Sequence, residues 1–415
     1  MKVAHVCALL RRNVLGHRIS SITLNNDPLL FPILKSSTNP EKELEDMKNH
    51  LNDSKIVSVG RHGKYFWLRL QLAHNKAGVL LMHFGMTGRI KIRNIDSQMI
   101  FMENGGDKKI LENMGRISKF FQKEKVGEVE VKEEVKEEVK DEIVTNDVLD
   151  DESSLNEDDL WPPKFSKMEI ELEKDGQTLE MSFADPRRLG RIRLLTGPEF
   201  ETDELLLTQA PLNALGPDYS KSQEISPSKE FLTGDPDPHH HGRPRLSIEE
   251  FKTLIMSKKK PIKALLLDQA FFSGVGNWVA DEIIYHARIH PSEILSLKLT
   301  SVEGEIHPRI QKLYDSVIYV CEESVRVEGM ASKFPDNWLM LYRWGKARKK
   351  GPKAKTSEGY EVDYVTVGGR TSCFVPKLQL LLKGDVEPSP KRKKSEGEAG
   401  ETKKVQKRTK RAKKN

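Results

Sequence analysis

Apolar positions recur at helical spacing over the first fifteen residues, where Val3, Val6, Leu9 and Leu10 fall on one face and Gly16 is placed to cap the end. This predicts a helix over residues 3–15. The period then shortens to two. Ile19, Ile22 and Leu24, the LLMHF run ending at Phe84, and MEIELEKDGQTLEMSF over 168–183 read as strands. The last is two alternating runs around Asp175-Gly176, a step that favours a tight hairpin because both residues accept positive φ. Helical spacing returns at Ser247-Ile-Glu-Glu250, a capping box, and continues to about residue 330. Pro261, Gly274-Val-Gly-Asn277 and Pro291 break it into helices of ordinary length. Beyond lie WLMLYRW, YEVDYVTV and RTSCFV around Lys/Gly-rich turns, the last a short strand-like run. The pattern predicts an α+β chain: a helix, an antiparallel β domain, a helical domain and a small β appendage.

At 415 residues the chain has material for two or three domains of roughly 150 residues each. A mean hydropathy of -0.56, with no run of about 18 apolar residues, argues against a membrane protein. Arg11 and Arg12 interrupt the apolar pattern at the front, so no secretory leader is expected. Cys7, Cys321 and Cys373 lie too far apart for a disulfide framework or a CxxC zinc module, which suits a reducing compartment.

The net charge of +6 hides two opposing segments. Residues 124–159 hold 16 acidic against 4 basic side chains and no aromatic, and the insertion over about 122–160 is expected to be disordered. Residues 388–415 hold 12 Lys or Arg against 3 Glu. The remaining body is basic, as for a polyanionic partner or a solvated Lys-rich surface. Residues 221–245, rich in Ser, Pro, Gly and His, read as a linker. Its His239–His241 could bind a metal, but with no Cys or carboxylate at ligand spacing they read as a solvated loop.

Chemistry concentrates in KKKPIKALLLDQAFFSGVGNWVADEIIYHARIHP, residues 258–291. A helix holding Lys263 meets the Gly274–Gly276 turn, and Asn277 starts the next helix. Glycines allow close backbone approach and helix-start N–H groups favour an anion, so a phosphate is one reading and plain helix packing the other. Asp268, Glu282 and His290 read as mainly structural.

This segment resembles the helix-two-turn-helix of the formamidopyrimidine-DNA glycosylase and endonuclease VIII family. Three further family motifs follow the same order: GRHGKYFWL at 60–68, HFGMTGRI at 83–90 and DPRRLGRI at 185–192. VGGRTSCFVPKLQ at 367–379 resembles the zincless finger of plant and fungal members. The resemblance implies an N-terminal helix plus antiparallel β-sandwich over 1–196, a linker over 197–246, an all-α helix-two-turn-helix domain over 247–335, a zincless β-hairpin finger over 336–383 and a disordered basic tail over 384–415. It also implies a monomer on damaged double-stranded DNA that flips and excises oxidised purines and then nicks the abasic site. An enzyme acting on a base must take it out of the duplex, so it needs phosphate anchors and wedges. By resemblance Lys64 is the catalytic lysine near the lesion, while His83, Lys263, Asn277 and Arg370 bind phosphates. Met86, Arg187 and Leu189 match the trio that fills the void, with Leu189 where bacterial relatives usually carry Phe. Bacterial relatives hold the finger with four cysteines around a metal; with Cys373 alone there, no metal or other cofactor is expected here.

The family starts Pro-Glu-Leu-Pro-Glu-Val, and its N-terminal proline amine attacks the sugar C1′. Here Val3 matches that valine and Lys2 replaces the second glutamate, so the Pro-Glu pair is missing from this chain. Two readings stand: a glycosylase with abasic-site lyase activity whose recorded start lacks an upstream segment, or a catalytically impaired protein that binds damaged DNA. The tail has basic clusters at 391–394 and 403–414 and resembles a bipartite nuclear import signal, with a nonspecific DNA-binding arm as the alternative.

Overall fold

The structure is a computed structural model, which describes residues 2–95, 161–221, 242–300, 304–347 and 353–383. The acidic insertion, His239–His241 and the basic tail lie outside the described residues. Helix α1 (Lys2–Asn13) is followed by strands β1 (Arg18–Leu24), β2 (Lys55–His62), β3 (Tyr65–Gln71), β4 (Ala77–His83) and β5 (Arg89–Ile92). Helix α2 (Pro40–Leu51) lies between β1 and β2, and β6 (Ser166–Lys174), β7 (Gln177–Ala184) and β8 (Arg191–Thr196) complete the sheet. All pairs are antiparallel, in the order β5-β7-β6-β1-β2-β3-β4-β8. The Asp175-Gly176 hairpin forms as expected, with φ of 52° and 76°.

The expected sandwich is one sheet folded in two. β1 and β2 share the single register pair Arg18↔Lys55, so the leaves β5-β7-β6-β1 and β2-β3-β4-β8 separate there. Both leaves feed one core: Ile22, Ile170 and Phe183 from the first meet Phe66, Leu68 and Met82 from the second. Phe84 bridges them, its ring 4.7 Å from Phe66 and 5.6 Å from Phe183. Helix α1 buries Val3, Val6, Leu9 and Leu10 in the same core, each such side chain contributing roughly 1.5–3 kcal/mol.

The expected linker over 197–246 is structured over 198–221, which include a short helix, α3 (Asp203–Leu207). Leu206 and Leu212 are buried against Trp67 and Leu81, and Tyr219 is buried in the helical core against Phe251 and Phe272. After it come α4 (Ile248–Ser257), α5 (Ile262–Leu266), α6 (Asn277–His286) and α7 (Pro308–Arg326) around Phe251, Phe272, Trp278 and Trp338. Both capping-box bonds are present at α4, Glu250 N–H to Ser247 Oγ at 3.2 Å and Ser247 N–H to Glu250 Oε2 at 2.8 Å. WLMLYRW is not a strand. Leu339–Ala347 is a 3-10 segment, pinned where Glu282 accepts the N–H groups of Leu339 and Met340. The finger is β9 (Asp363–Val367) paired with β10 (Arg370–Phe374).

Two buried carboxylates join the halves. Arg12 donates twice to Glu328 at the end of α7, at 2.6 and 2.9 Å. Asp218 accepts from Arg61 at 2.6 Å and from the Gly63 N–H at 3.0 Å. Burial opposes the Asp218 charge, but Arg61 and Lys221 outweigh it and hold this carboxyl below the usual range. Asp218→Ala strands Arg61 without its partner at this seam and is expected to cost about 3–5 kcal/mol in urea unfolding, with Asp218→Asn losing less.

Candidate nucleic-acid interface

The Gly63-Lys64 turn between β2 and β3 presses against the helical domain. Gly63 has φ 60°, and a Cβ there would lie 2.0 Å from Ser273 Oγ, so glycine alone permits this approach. It sets the residue before Lys64 directly against Ser273 and Gly274. Burial pushes the Lys64 ammonium down to about 8, helped by the positive charge of Arg370. His83 ends β4 opposite Tyr65, ring centroids 4.7 Å apart. Its Nδ1 accepts the Gly85 N–H at 3.0 Å, leaving Nε2 as the protonated nitrogen of a neutral ring. Burial, Lys64 and Arg191 hold it neutral, with a pKa of about 4.

Beside this cluster two loops expose apolar side chains. Met86 is 60% and Leu189 41% exposed, and Arg187 is exposed between them in the chain order. Asp185 binds the loops together: it accepts the Thr87 hydroxyl at 2.6 Å, the Arg187 N–H at 3.2 Å and the Gly190 N–H at 2.7 Å. Gly85, at φ 60°, lies so close that a Cβ would meet the Leu189 carbonyl at 2.5 Å. Exposed Met and Leu on loops this constrained keep their apolar surface available for a partner.

On the helical side, Asn277 is the first residue of α6, and its N-cap Gly276 offers no side-chain cap. Asn277 donates to the Thr371 carbonyl at 3.1 Å, and its buried Oδ1 has no hydrogen-bond partner. Arg370 is exposed at the start of β10. Lys263 differs from expectation. It is fully buried, with its ammonium on Asp281 and the Asn277 carbonyl, so in this conformation it is enclosed and orients the Asn277 turn instead of meeting a phosphate. Burial lowers its pKa to about 8, and Asp281 limits the fall.

Asp281 was not singled out by the sequence, and it organises this side. It also accepts the Ser372 hydroxyl, the Cys373 N–H at 3.2 Å and Arg343 Nε at 3.0 Å, fastening the finger and the 3-10 segment to α6. A four-cysteine metal site does not fit these residues. Cys373 is the only cysteine of the finger, and burial with Asp281 beside it pushes its thiol upward, away from a thiolate ligand. Asp185 and Asp281 both lie inside quoted motifs; what hid them is that their partners are distant in sequence. Glu282, Asp268 and His290 make structural contacts, Asp268 accepting from Ala270 N–H and Lys260, and His290 from Ser292 N–H.

Known proteins share this arrangement. A family model described as the formamidopyrimidine-DNA glycosylase N-terminal domain matches residues 1–192, and one for the H2TH domain of the same glycosylase matches residues 235–336. A formamidopyrimidine-DNA glycosylase of Arabidopsis thaliana is 35% identical over 239 residues, 58% of this chain and 50% of its own. One from Streptococcus pyogenes is 29% identical over 140 residues, 32% of this chain and 47% of its own. The chain thus spans about half the length of these curated relatives. A crystal structure of the Lactococcus lactis glycosylase, bound non-covalently to DNA with an abasic site, superposes with a TM-score of 0.52 at 17% identity, covering 91% of this chain and 98% of that one. At that identity the likeness shows the fold.

The Lys64 pKa sets a pH dependence. Lys64 is a cation below about 8 and neutral above it, so its attraction for phosphate is present at low pH and lost as pH rises. Affinity for a duplex with a tetrahydrofuran abasic analogue is expected to fall between pH 7 and 9.5, and Lys64→Met to flatten that profile; titrations by fluorescence anisotropy decide it.

Proposed function

The chain belongs to the formamidopyrimidine-DNA glycosylase family, whose two domain models match its β and helical halves, and from that premise we propose that it is a base-excision-repair glycosylase with abasic-site lyase activity acting on oxidised purines in duplex DNA. The observation that carries the reading is the convergence of Lys64, His83, Asn277 and Arg370 beside the exposed Met86, Arg187 and Leu189. Cations and an open helix start suit phosphates around an extruded nucleotide, and Arg370 supplies a planar, bidentate donor. Met86 and Leu189 fill the void left in the stack, and Arg187 holds the orphaned base. Leu189 has no aromatic face, so its support of neighbouring bases is weaker than that of a Phe.

The reaction needs an amine at the start of α1. That start borders the wedge: the Lys2 ammonium lies 5.6 Å from the centre of the Phe84 ring, next to Gly85 and Met86. Met1 lies outside the described residues. The amine nitrogen bonds to C1′ as the glycosidic bond breaks and the base leaves; the C1′–O4′ bond then opens as C1′ becomes an iminium, with O4′ taking up a proton, and the iminium acidifies C2′, whose proton is lost as the 3′ phosphate departs. The finger is proposed to be zincless, as in plant and fungal members, with Asp281 holding what a metal holds elsewhere. One copy on one lesion is the proposed assembly, and the tail, outside the described residues, the proposed nuclear import signal. Deleting 388–415 from a tagged chain should abolish nuclear accumulation, and unchanged accumulation rules it out as the main signal.

The chemistry is tested by borohydride trapping on abasic-site duplex. The chain beginning at Met1 is compared with one in which Pro-Glu-Leu-Pro-Glu precedes Val3. Both should bind, with log affinity falling linearly against log salt, and the Pro-Glu form should trap efficiently. The Met1 form should trap poorly, because its amine stands three residues short of the proline position, a displacement of up to about 10 Å. Binding by both forms without trapping by either would leave a damaged-DNA binder; a flat salt response overturns the phosphate-gripping site.

A further inference from the structure

Arg188, between the proposed orphan-base arginine and the proposed wedge, is held in an unusual way. Its φ is 56°, a left-handed conformation uncommon for a bulky residue. Its guanidinium is paired with a carboxylate 161 positions earlier: Nε and a terminal nitrogen donate to the two oxygens of Asp27 at 2.8 and 2.9 Å. Asp27 is 3% exposed, and it also receives the Leu29 N–H at 3.1 Å and Lys167 Nζ at 3.3 Å. Its own turn is rigid, with the Leu30 and Phe31 N–H groups on the Asp27 carbonyl and both those side chains fully buried. The Leu30 carbonyl in turn accepts the Ile192 N–H at 2.8 Å. The loop from Asp185 to Ile192 is therefore tied at both ends and again at its middle.

We propose that Asp27 and Arg188 form a positioning clamp that sets how Arg187 and Leu189 are presented, and thereby the discrimination between bases opposite the lesion. The inference rests on the proposed DNA-glycosylase function. Backbone strain at Arg188 is offset by the bidentate pair. The pair fixes the residue between the two DNA-facing side chains, so neither can shift without breaking it. It also has a cost to affinity: a half-exposed arginine at a DNA-binding edge has its charge directed to Asp27 instead of to a phosphate.

That second consequence separates positioning from simple destabilisation. Dissociation constants are measured for the full chain on duplexes with tetrahydrofuran opposite cytosine or opposite adenine, across salt. In Asp27→Asn the ratio between the two duplexes should shrink by about 10-fold, the size of one lost geometric contact. Its salt slope should steepen by about 0.9, one phosphate gained by the released Arg188. Arg188→Ala should lose the ratio without the added slope, and Arg188→Lys should fail to restore it, since lysine lacks the planar fork. The double variant should match Arg188→Ala. Thermal melting by circular dichroism checks that each variant is folded, and Arg188→Ala, at an exposed side chain, carries the test if Asp27→Asn is not. An unaltered ratio in folded Asp27→Asn or Arg188→Ala overturns the clamp alone. Absence of abasic-duplex binding by the unaltered chain overturns the DNA-binding function, and the clamp with it.

Discussion

A carboxylate removed from water is tolerated when its lone pairs are filled, and Asp281 meets that condition with four donor residues on three elements: Lys263 on α5, Arg343 on the 3-10 segment, and Ser372 and Cys373 on β10. The relation of finger to helices follows from it. So does the Asn277 turn, because the same Lys263 ammonium also holds the Asn277 carbonyl. Asp218 does the equivalent work at the other seam, fixing the Lys64 turn through Arg61 and the Gly63 amide. The site is spread over a β turn, two loops, a helix start and a hairpin tip, and these two acids are what bring those parts into one place.

Much of this was legible along the chain. Asp175-Gly176 and the Ser247–Glu250 box are local devices whose partners lie within three residues, and both formed as read. The α+β division followed from the change of period, and the motif residues Lys64, His83, Asn277 and Arg370 do lie in one region. The failures share a cause. Lys263 reads as a free cation because its partner Asp281 lies in another helix, and burial turned it from a surface donor into an internal one. Residues 198–221 read as linker, yet Leu206 and Leu212 pack on the far side of β3 and β4 and Tyr219 in the helical core, contacts that only the folded chain brings about.

The electrostatics of the site depend on its dryness. Lys64 and His83 are each disfavoured as cations by burial and by neighbouring positive charge. A bound phosphate reverses that bias, since it supplies the counter-charge the free protein withholds. At these two residues positive charge is latent, and it becomes full only with an anion in place.

The strand order also explains where the chain accommodates extra length. Seventy-three residues, 93–165, separate β5 from β6, yet β5 pairs only with β7, at the outer edge of its leaf. The register of β6 is set by its own hairpin with β7 and by β1, so nothing in the ladder is measured against the intervening segment. Doubling such a connection adds only about 0.6 kcal/mol of closure entropy. A segment joined at this edge can lengthen, shorten or change composition without moving the ladder or the residues gathered around Lys64.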